Sequence, residues 1–128
     1  MAAKLSPFAH ILAVRDLEAS AAHYRDALGF RVLWPDGDDW RLVERDGVRV
    51  MLGACPDEAP AASLGDHSLF AYVHVDDVDA LHAEFAAHGA TVTAPADRPH
   101  GLREIVVTTI DGHRLLFGQQ LGKRAPGP

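Results

Sequence analysis

The residues best suited to chemistry in this chain are its histidines. There are eight of them, together with a single cysteine, Cys55. Imidazole binds transition metals and exchanges protons near neutral pH. The sequence nevertheless contains no H-x-H or H-E-x-x-H spacing, which would bring two imidazoles to one metal ion. The spacing therefore predicts no metal site and favours histidines that face solvent or form hydrogen bonds.

Nucleophilic or acid–base catalysis is not indicated by any spacing in the chain. Cys55 lies in an Ala/Pro-rich stretch without a base positioned to activate its thiol. Ser63 and Ser68 lack the G-x-S-x-G pattern of a nucleophile elbow. A pair formed by His74 or His100 with a carboxylate would be able to transfer protons, but the sequence does not select such a pair.

Aromatic and charged residues suit the binding of an organic molecule better. Trp34 and Trp40 flank an acidic turn that includes Asp38. A well-placed aromatic pair contributes about 0.5–1.5 kcal/mol beyond burial, and a cation gains from ring faces and carboxylates alike. We therefore expect this segment to favour flat aromatic ligands or cationic ones.

An internal duplication indicates how such residues are positioned. Residues 46–53 read DGVRVMLG and residues 111–118 read DGHRLLFG, so both share D-G, an arginine two residues after the glycine, and a closing glycine. Upstream, residues 14–19 resemble residues 75–80, in the same order along the chain. Two copies of a unit of ~60 residues are too few for a solenoid. They predict two modules related by approximate twofold symmetry.

Each copy predicts one strand, one helix and then three strands. Asp16 and Asp77 stand at N-cap positions before apolar residues with helical spacing. The Asp-Gly pairs between apolar runs indicate hairpins. We therefore predict an α+β domain of two βαβββ modules in tandem. The expected bounds are 1–122 for this single domain, 6–54 for module one, 55–66 for the linker, 67–121 for module two and 123–128 for a flexible tail.

Composition limits the class of protein. The chain has 128 residues, of which 48% are hydrophobic and 23% charged, as expected for one globular domain. Its net charge of −6 argues against a nucleic-acid partner and suits a neutral or cationic small molecule. No apolar run reaches the ~20 residues of a membrane span, and no charged leader precedes the first strand. With one cysteine, we expect no internal disulfide and a cytoplasmic location.

The duplicated unit resembles the vicinal oxygen chelate superfamily, which includes glyoxalase I, extradiol dioxygenases and bleomycin-resistance proteins. The resemblance rests on V-x-D-L before the first helix, L-G-F after it and D-G before the last strand, and it covers roughly residues 6 to 121. It implies mixed sheets curved into a cup. It also implies a homodimer, because members of the family commonly complete their pockets across a subunit interface.

The resemblance further predicts whether a metal is held. Metal-bearing members place histidine, glutamine or glutamate at one position in the first and last strand of each module. Counted from V-x-D-L and from D-G, those positions here are Ala9, Met51, Phe70 and Leu116. None of them offers an imidazole or a carboxylate. We therefore expect neither a metal nor another cofactor.

Among the metal-free members, the chain is most similar to the bleomycin-resistance proteins. Residues 34–40 stand where those proteins carry an aromatic residue, an acidic stretch and a second aromatic residue. Residues 99–105, PHGLREI, look like the family's P-W-G-x-R-E-F segment, with His100 in place of the aromatic and Arg103 at the shared arginine. Residues 109–110 replace the usual D-P, so the last hairpin turn is expected to differ in shape.

Strand alternation predicts which side chains line the cup. We expect alternate residues of each first strand, namely Ala9, Ile11 and Ala13 or Phe70, Tyr72 and His74, to point inward. A mainly apolar, aromatic cavity with a few polar groups is typical of a small-molecule site. The ligand-binding residues that we predict are Trp34, Asp38, Trp40, Arg49, Met51, Phe70, Tyr72, His100, Arg103, Arg114 and Leu116.

Three functions remain open at this point. The first is a metal-free binding protein that sequesters a hydrophobic or aromatic small molecule such as an antibiotic, with no catalytic residue assigned. The second is a glyoxalase-like lyase or isomerase, or a dioxygenase, that holds a divalent metal through atypical ligands. The third is an interaction module. We favour the first, as a cytoplasmic homodimer whose partner is a small molecule and neither nucleic acid nor membrane.

Overall fold

The structure, a computed structural model, describes residues 3–122. Module one has the predicted order of strand, helix and three strands: β1 (His10–Val14), α1 (Leu17–Leu28), β2 (Arg31–Val32), β3 (Trp40–Arg45) and β4 (Val48–Ala54). Module two repeats it with one additional short strand: β5 (Leu69–His74), α2 (Val78–Ala87), β6 (Thr91–Val92), β7 (Ala96–Asp97), β8 (Leu102–Thr108) and β9 (Arg114–Gln120). The predicted α+β class with two tandem βαβββ modules is confirmed. The predicted tail, residues 123–128, lies outside the described residues.

Each module forms its own mixed sheet. The strand order is β1-β4-β3-β2 in module one and β5-β9-β8-β6 in module two, where β7 also pairs with β8. The first strand of each module runs parallel to the last, and the remaining pairs are antiparallel. Within residues 3–122 neither sheet closes on itself, and each has one face toward its helix and one face away from it. We call the face away from the helix the open face.

Both helices begin at the predicted aspartates. The carboxylate of Asp16 accepts a hydrogen bond from the Ala19 N–H at 3.1 Å, and that of Asp77 from the Ala80 N–H at 3.0 Å. These bonds satisfy N–H groups that have no partner inside the helix. The first helix stops at Gly29, whose φ of 77° is left-handed and costs glycine no strain. No helix within residues 3–122 has the length and apolarity needed to cross a membrane.

The predicted linker contains regular structure. Residues Ala61–Ser68 form 3₁₀ helix, with a kink at Gly65. This segment packs on the turn before β9, since a Cβ placed on Gly112 would lie 2.6 Å from the Cβ of Ala62. The linker therefore holds the start of β5 and the start of β9 together.

The helix-facing sides of both sheets share one hydrophobic cluster. Leu28 and Val50 of module one and Phe85 and Leu115 of module two all have 0% exposed surface within it. Burial of apolar surface is the main favourable term in folding. Each module is therefore stabilised by the other.

Polar contacts at Glu84 and at Asp111 join the modules beside this cluster. Arg45, at the end of β3, donates from Nη1 to Oε2 of Glu84 in α2 at 2.6 Å. Asp111, in the turn before β9, accepts hydrogen bonds from the Arg15 N–H at 3.0 Å and from the Ser20 hydroxyl. These contacts fix how the two sheets, and hence their open faces, are oriented.

Candidate ligand-binding site

The open face of module one carries an apolar row around Trp40. The strand register places Ile11 beside Met51, and Met51 beside Leu42. Trp40 lies opposite Gly53, and a Cβ on that glycine would sit 2.8 Å from the indole ring. The indole therefore lies directly on the backbone of β4. This arrangement is possible because position 53 has no side chain.

Module two has the equivalent arrangement with a different aromatic residue. Tyr72 in β5 is next to Leu116 in β9, and Leu116 is next to Val106 in β8. A Cβ on Gly118 would meet the Tyr72 ring at 2.8 Å. The closing glycine of each copy of the sequence repeat thus accommodates an aromatic ring on the open face.

Several apolar side chains on these faces are exposed. Ile11 exposes 66% of its surface, Trp40 43% and Tyr72 41%. Exposed clusters of this kind mark binding surfaces in soluble proteins. Near the start of β1, the two modules border a cleft of about 490 Å³ that includes Ala9, Arg49, Tyr72 and His74 among its lining residues.

A buried carboxylate organises the polar part of the module two face. Glu104 exposes only 8% of its side chain. Its Oε2 accepts a hydrogen bond from the Tyr72 hydroxyl at 2.8 Å and lies 2.9 Å from Nε2 of His100. Its Oε1 lies 3.4 Å from Nε of Arg98. Burial and the bond to Glu104 raise the pKa of Tyr72 well above its ordinary value, so the phenol remains a donor.

A tight turn brings His100 and Arg98 to this carboxylate. The Gly101 N–H donates to the Arg98 carbonyl at 3.0 Å, and the Arg98 N–H donates to the Leu102 carbonyl at 2.8 Å. Gly101 has φ of 91°, which favours glycine. Because the turn reverses the chain just before β8, the side chains of residues 98 and 100 both reach Glu104. Sequence reasoning identified His100 but assigned it no carboxylate, and it did not identify Arg98 or Glu104 as site residues.

The repeat places Arg49 and Arg114 at equivalent positions, and each arginine has a partner close by. Arg49 donates from Nε to Glu44 at 3.0 Å, and its guanidinium lies 5.3 Å from the ring centroid of Phe8. Arg114 donates from Nε to the Ser68 hydroxyl at 2.8 Å. Both lie at open-face positions of their strands, as predicted.

The expected orientation of Phe70 is wrong. A register shift between Leu69 and Ala71 breaks the alternation of β5, so Phe70 packs against the shared core instead of standing beside Tyr72 on the open face. Its ring makes edge-on contacts with His10 and His113, at centroid distances of 5.6 Å and 6.0 Å. A β-bulge of this kind turns a side chain to the other face of a sheet.

Arg103, predicted as a ligand-binding residue, lies on the other side of its sheet from Glu104. It pairs with Gln119 on the helix-facing side of the sheet, one position along from Glu104. Its guanidinium forms ion pairs with Asp79 of α2 at 3.0 Å and with Asp97 of β7 at 2.8 Å. These carboxylates raise the pKa of Arg103, and they hold it away from the open face.

The acidic segment between the two tryptophans lies at the surface. Trp34 exposes 39% of its surface, and Asp38 is exposed. Asp38 lines a broad, open cleft beside Arg41, whose guanidinium contacts the Gly37 carbonyl and donates to Glu18 at 2.6 Å. The structure thus places Asp38 at the edge of module one and Trp40 on its open face.

The residues at the metal-ligand positions of the resemblance do not fit a divalent metal. Ala9, Met51 and Leu116 carry no imidazole or carboxylate, and Phe70 is turned into the core. Within residues 3–122, no three His, Cys, Asp or Glu side chains are grouped so as to hold a metal ion.

Comparison with models of known protein families identifies the superfamily of this chain. The model of the glyoxalase/bleomycin resistance protein/dioxygenase superfamily matches residues 6–117. The chain belongs to this superfamily. A search of curated proteins gives no match.

Solved structures with the same fold include antibiotic-binding proteins. A bleomycin resistance determinant encoded on the transposon Tn5 is 22% identical, with a TM-score of 0.75, covering 91% of this chain and 98% of that one. The bleomycin-binding protein of Streptomyces verticillus, in complex with copper(II)-bleomycin, is 24% identical, with a TM-score of 0.70 and coverages of 95% and 100%. An antibiotic-binding protein from Streptomyces sp. CB03234 is 22% identical, with a TM-score of 0.70 and coverages of 92% and 99%.

Proposed function

We propose that this chain binds a flat, hydrophobic or aromatic small molecule and acts by sequestering it, without a metal and without converting it. The observation that carries the proposal is the pair of exposed rings laid on glycines, Trp40 over Gly53 and Tyr72 over Gly118. Each ring presents one face to the outside of its sheet. A planar ligand gains from stacking on such a face as well as from burial.

The cleft between the modules supports this proposal. Its volume of about 490 Å³ is within the range of small-molecule sites, and its lining combines the Phe8 and Tyr72 rings with Arg49 and His74. The antibiotic-binding proteins that share the fold also favour a ligand of this class.

We propose that the binding form is a cytoplasmic homodimer. The apolar surface of Ile11, Trp40 and Tyr72 is exposed in the single chain, and a second copy would cover part of it. Sedimentation velocity tests the oligomeric state directly. A species of twice the chain mass at micromolar concentration supports the dimer, and a single-chain mass at all concentrations contradicts it.

The binding proposal is tested with the two tryptophans as separate reporters. The chain has two tryptophans, so Trp34→Phe leaves Trp40 as the only tryptophan and Trp40→Phe leaves Trp34. Excitation at the red edge of tryptophan absorption avoids the tyrosines. We expect saturable quenching of Trp40 by at least one compound in a panel of glycopeptide, quinone and peptide antibiotics. The change at Trp34 should be smaller, since Trp34 lies outside the apolar row of the open face.

Two outcomes would contradict the proposal. Silence of both reporters across the panel, with folded protein, would argue against an aromatic ligand. Near-stoichiometric nickel, zinc, iron or manganese in protein purified without an affinity tag would favour a metal enzyme instead.

A further inference from the structure

The Arg98 guanidinium has hydrogen-bonding capacity that the described chain does not use. Its Nε lies 3.4 Å from Glu104, but among residues 3–122 its two terminal nitrogens have no acceptor. The terminal nitrogens of Arg45 and Arg103, in contrast, are paired with carboxylates. About half of the Arg98 side chain is exposed, so the unused end is accessible to a ligand.

Arg98 forms an ion pair with the buried carboxylate of Glu104. Glu104 is buried and directs Oε2 to Tyr72 and His100, which leaves Oε1 for Arg98 Nε. An arginine oriented through Nε presents its two terminal nitrogens as a planar fork, which matches the two oxygens of a carboxylate.

An aromatic surface lies beside this fork. The Tyr72 hydroxyl is bonded to the same Glu104 carboxylate, and the tyrosine ring lies on Gly118 with 41% of the residue exposed. The imidazole of His74 is 5.5 Å from that ring, centroid to centroid, and tilted by 49°. Tyr72 therefore connects the Arg98–Glu104 ion pair to the imidazole of His74, and we call these residues the patch.

The local charge of this patch differs from that of the whole chain. The chain carries −6, yet here Arg98 and His100 both lie against one buried carboxylate, that of Glu104. A ligand cation would find Glu104 buried and already bonded to its neighbours, whereas an anion would find the free end of Arg98.

We propose that Arg98 and the Tyr72 ring form a subsite for a carboxylate carried on a flat aromatic ring. This inference rests on the proposed function and specifies the charge of its ligand. Arg98 binds the carboxylate through both terminal nitrogens, Tyr72 stacks on the ring, and Glu104 positions Arg98.

Three naphthalene derivatives of similar shape test the charge preference: 1-naphthoate, 1-naphthalenemethanol and 1-naphthylmethylammonium. We expect calorimetric titration of the full chain to show about tenfold tighter binding of 1-naphthoate than of the alcohol, as for a hydrogen-bonded charged pair. Arg98→Gln should weaken binding of 1-naphthoate and so bring the two affinities within about twofold. The control Arg25→Gln makes the same charge change on α1, where Arg25 pairs with Asp26, and should preserve the preference.

The other outcomes separate this inference from the proposed function. Equal binding of naphthoate and alcohol, or tighter binding of the ammonium compound, overturns the carboxylate subsite and leaves aromatic binding intact. A preference for naphthoate that survives Arg98→Gln also overturns it. Failure of all three compounds to bind folded protein, with the antibiotic panel silent as well, overturns both.

Discussion

Replacing Tyr72 with phenylalanine isolates the hydrogen bond that organises the module two face. The hydroxyl donates at 2.8 Å to the Glu104 carboxylate, which is 8% exposed and also lies 2.9 Å from His100. A hydrogen bond to a charged group contributes about 1.5–3 kcal/mol. Since Tyr72 itself is 41% exposed, water replaces part of that bond, and we expect a loss of about 1–2 kcal/mol in the free energy of unfolding.

Urea denaturation followed by tryptophan fluorescence measures this loss, and the slope m should not change. The matched control is Tyr24→Phe, because the buried Tyr24 hydroxyl has no partner among the described residues. We expect that variant to be neutral or slightly more stable. The melting temperature of Tyr72→Phe should fall by roughly 4–8 °C.

A double-mutant cycle with Glu104→Leu decides whether the loss belongs to this bond. The two changes should be non-additive by about 1 kcal/mol. Additivity within about 0.3 kcal/mol would refute the assignment, as would an equal loss in Tyr24→Phe. Because Tyr72→Phe keeps the ring, it should leave affinity for a neutral aromatic ligand nearly unchanged, whereas Tyr72→Ala should lower it.

The remaining predictions concern stacking, the module junction, pH and assembly. Gly53→Ala should displace the Trp40 ring and weaken aromatic binding several-fold in a fluorescence titration, since the added Cβ would lie 2.8 Å from the indole. Asp111→Ala should lower the free energy of unfolding by about 1–3 kcal/mol in urea, because two donors of module one lose their acceptor. Burial lowers the pKa of His113 below its ordinary 6.5, so the unfolded chain binds the proton more readily. The free energy of unfolding should therefore decline as the pH falls below 6.5. It should decline less steeply in His113→Gln. Ile11→Glu should shift the proposed dimer to single chains in sedimentation velocity.

The fold was predictable because its determinants are local and duplicated. The N-cap aspartates at 16 and 77 and the Asp-Gly hairpins act within a few residues of themselves, and the repeat made each module a check on the other. The open-face positions of Arg49, Met51 and Leu116 followed from alternation in strands without irregularities, and Tyr72 lies beyond the bulge in β5.

The rest of the candidate site depends on features that alternation does not contain. The bulge at the start of β5 reverses Phe70, and no residue type nearby marks it. Glu104 became important only because the turn at 98–101 brings His100 and Arg98 back to it. Sequence spacing alone did not distinguish His100 and Glu104 from the other histidines and carboxylates of the chain.

Glycines 53 and 118 also determine how deep a guest molecule can settle. Each ring lies directly on the main chain, so no side chain beneath it can move. The surface on which a ligand stacks is therefore at a fixed height above its sheet. Ligands of different thickness must then be accommodated by the surface that covers them from the opposite side. Selectivity for ligand thickness would accordingly depend on the surface that covers the ligand, and the two rings would bind any planar compound equally well.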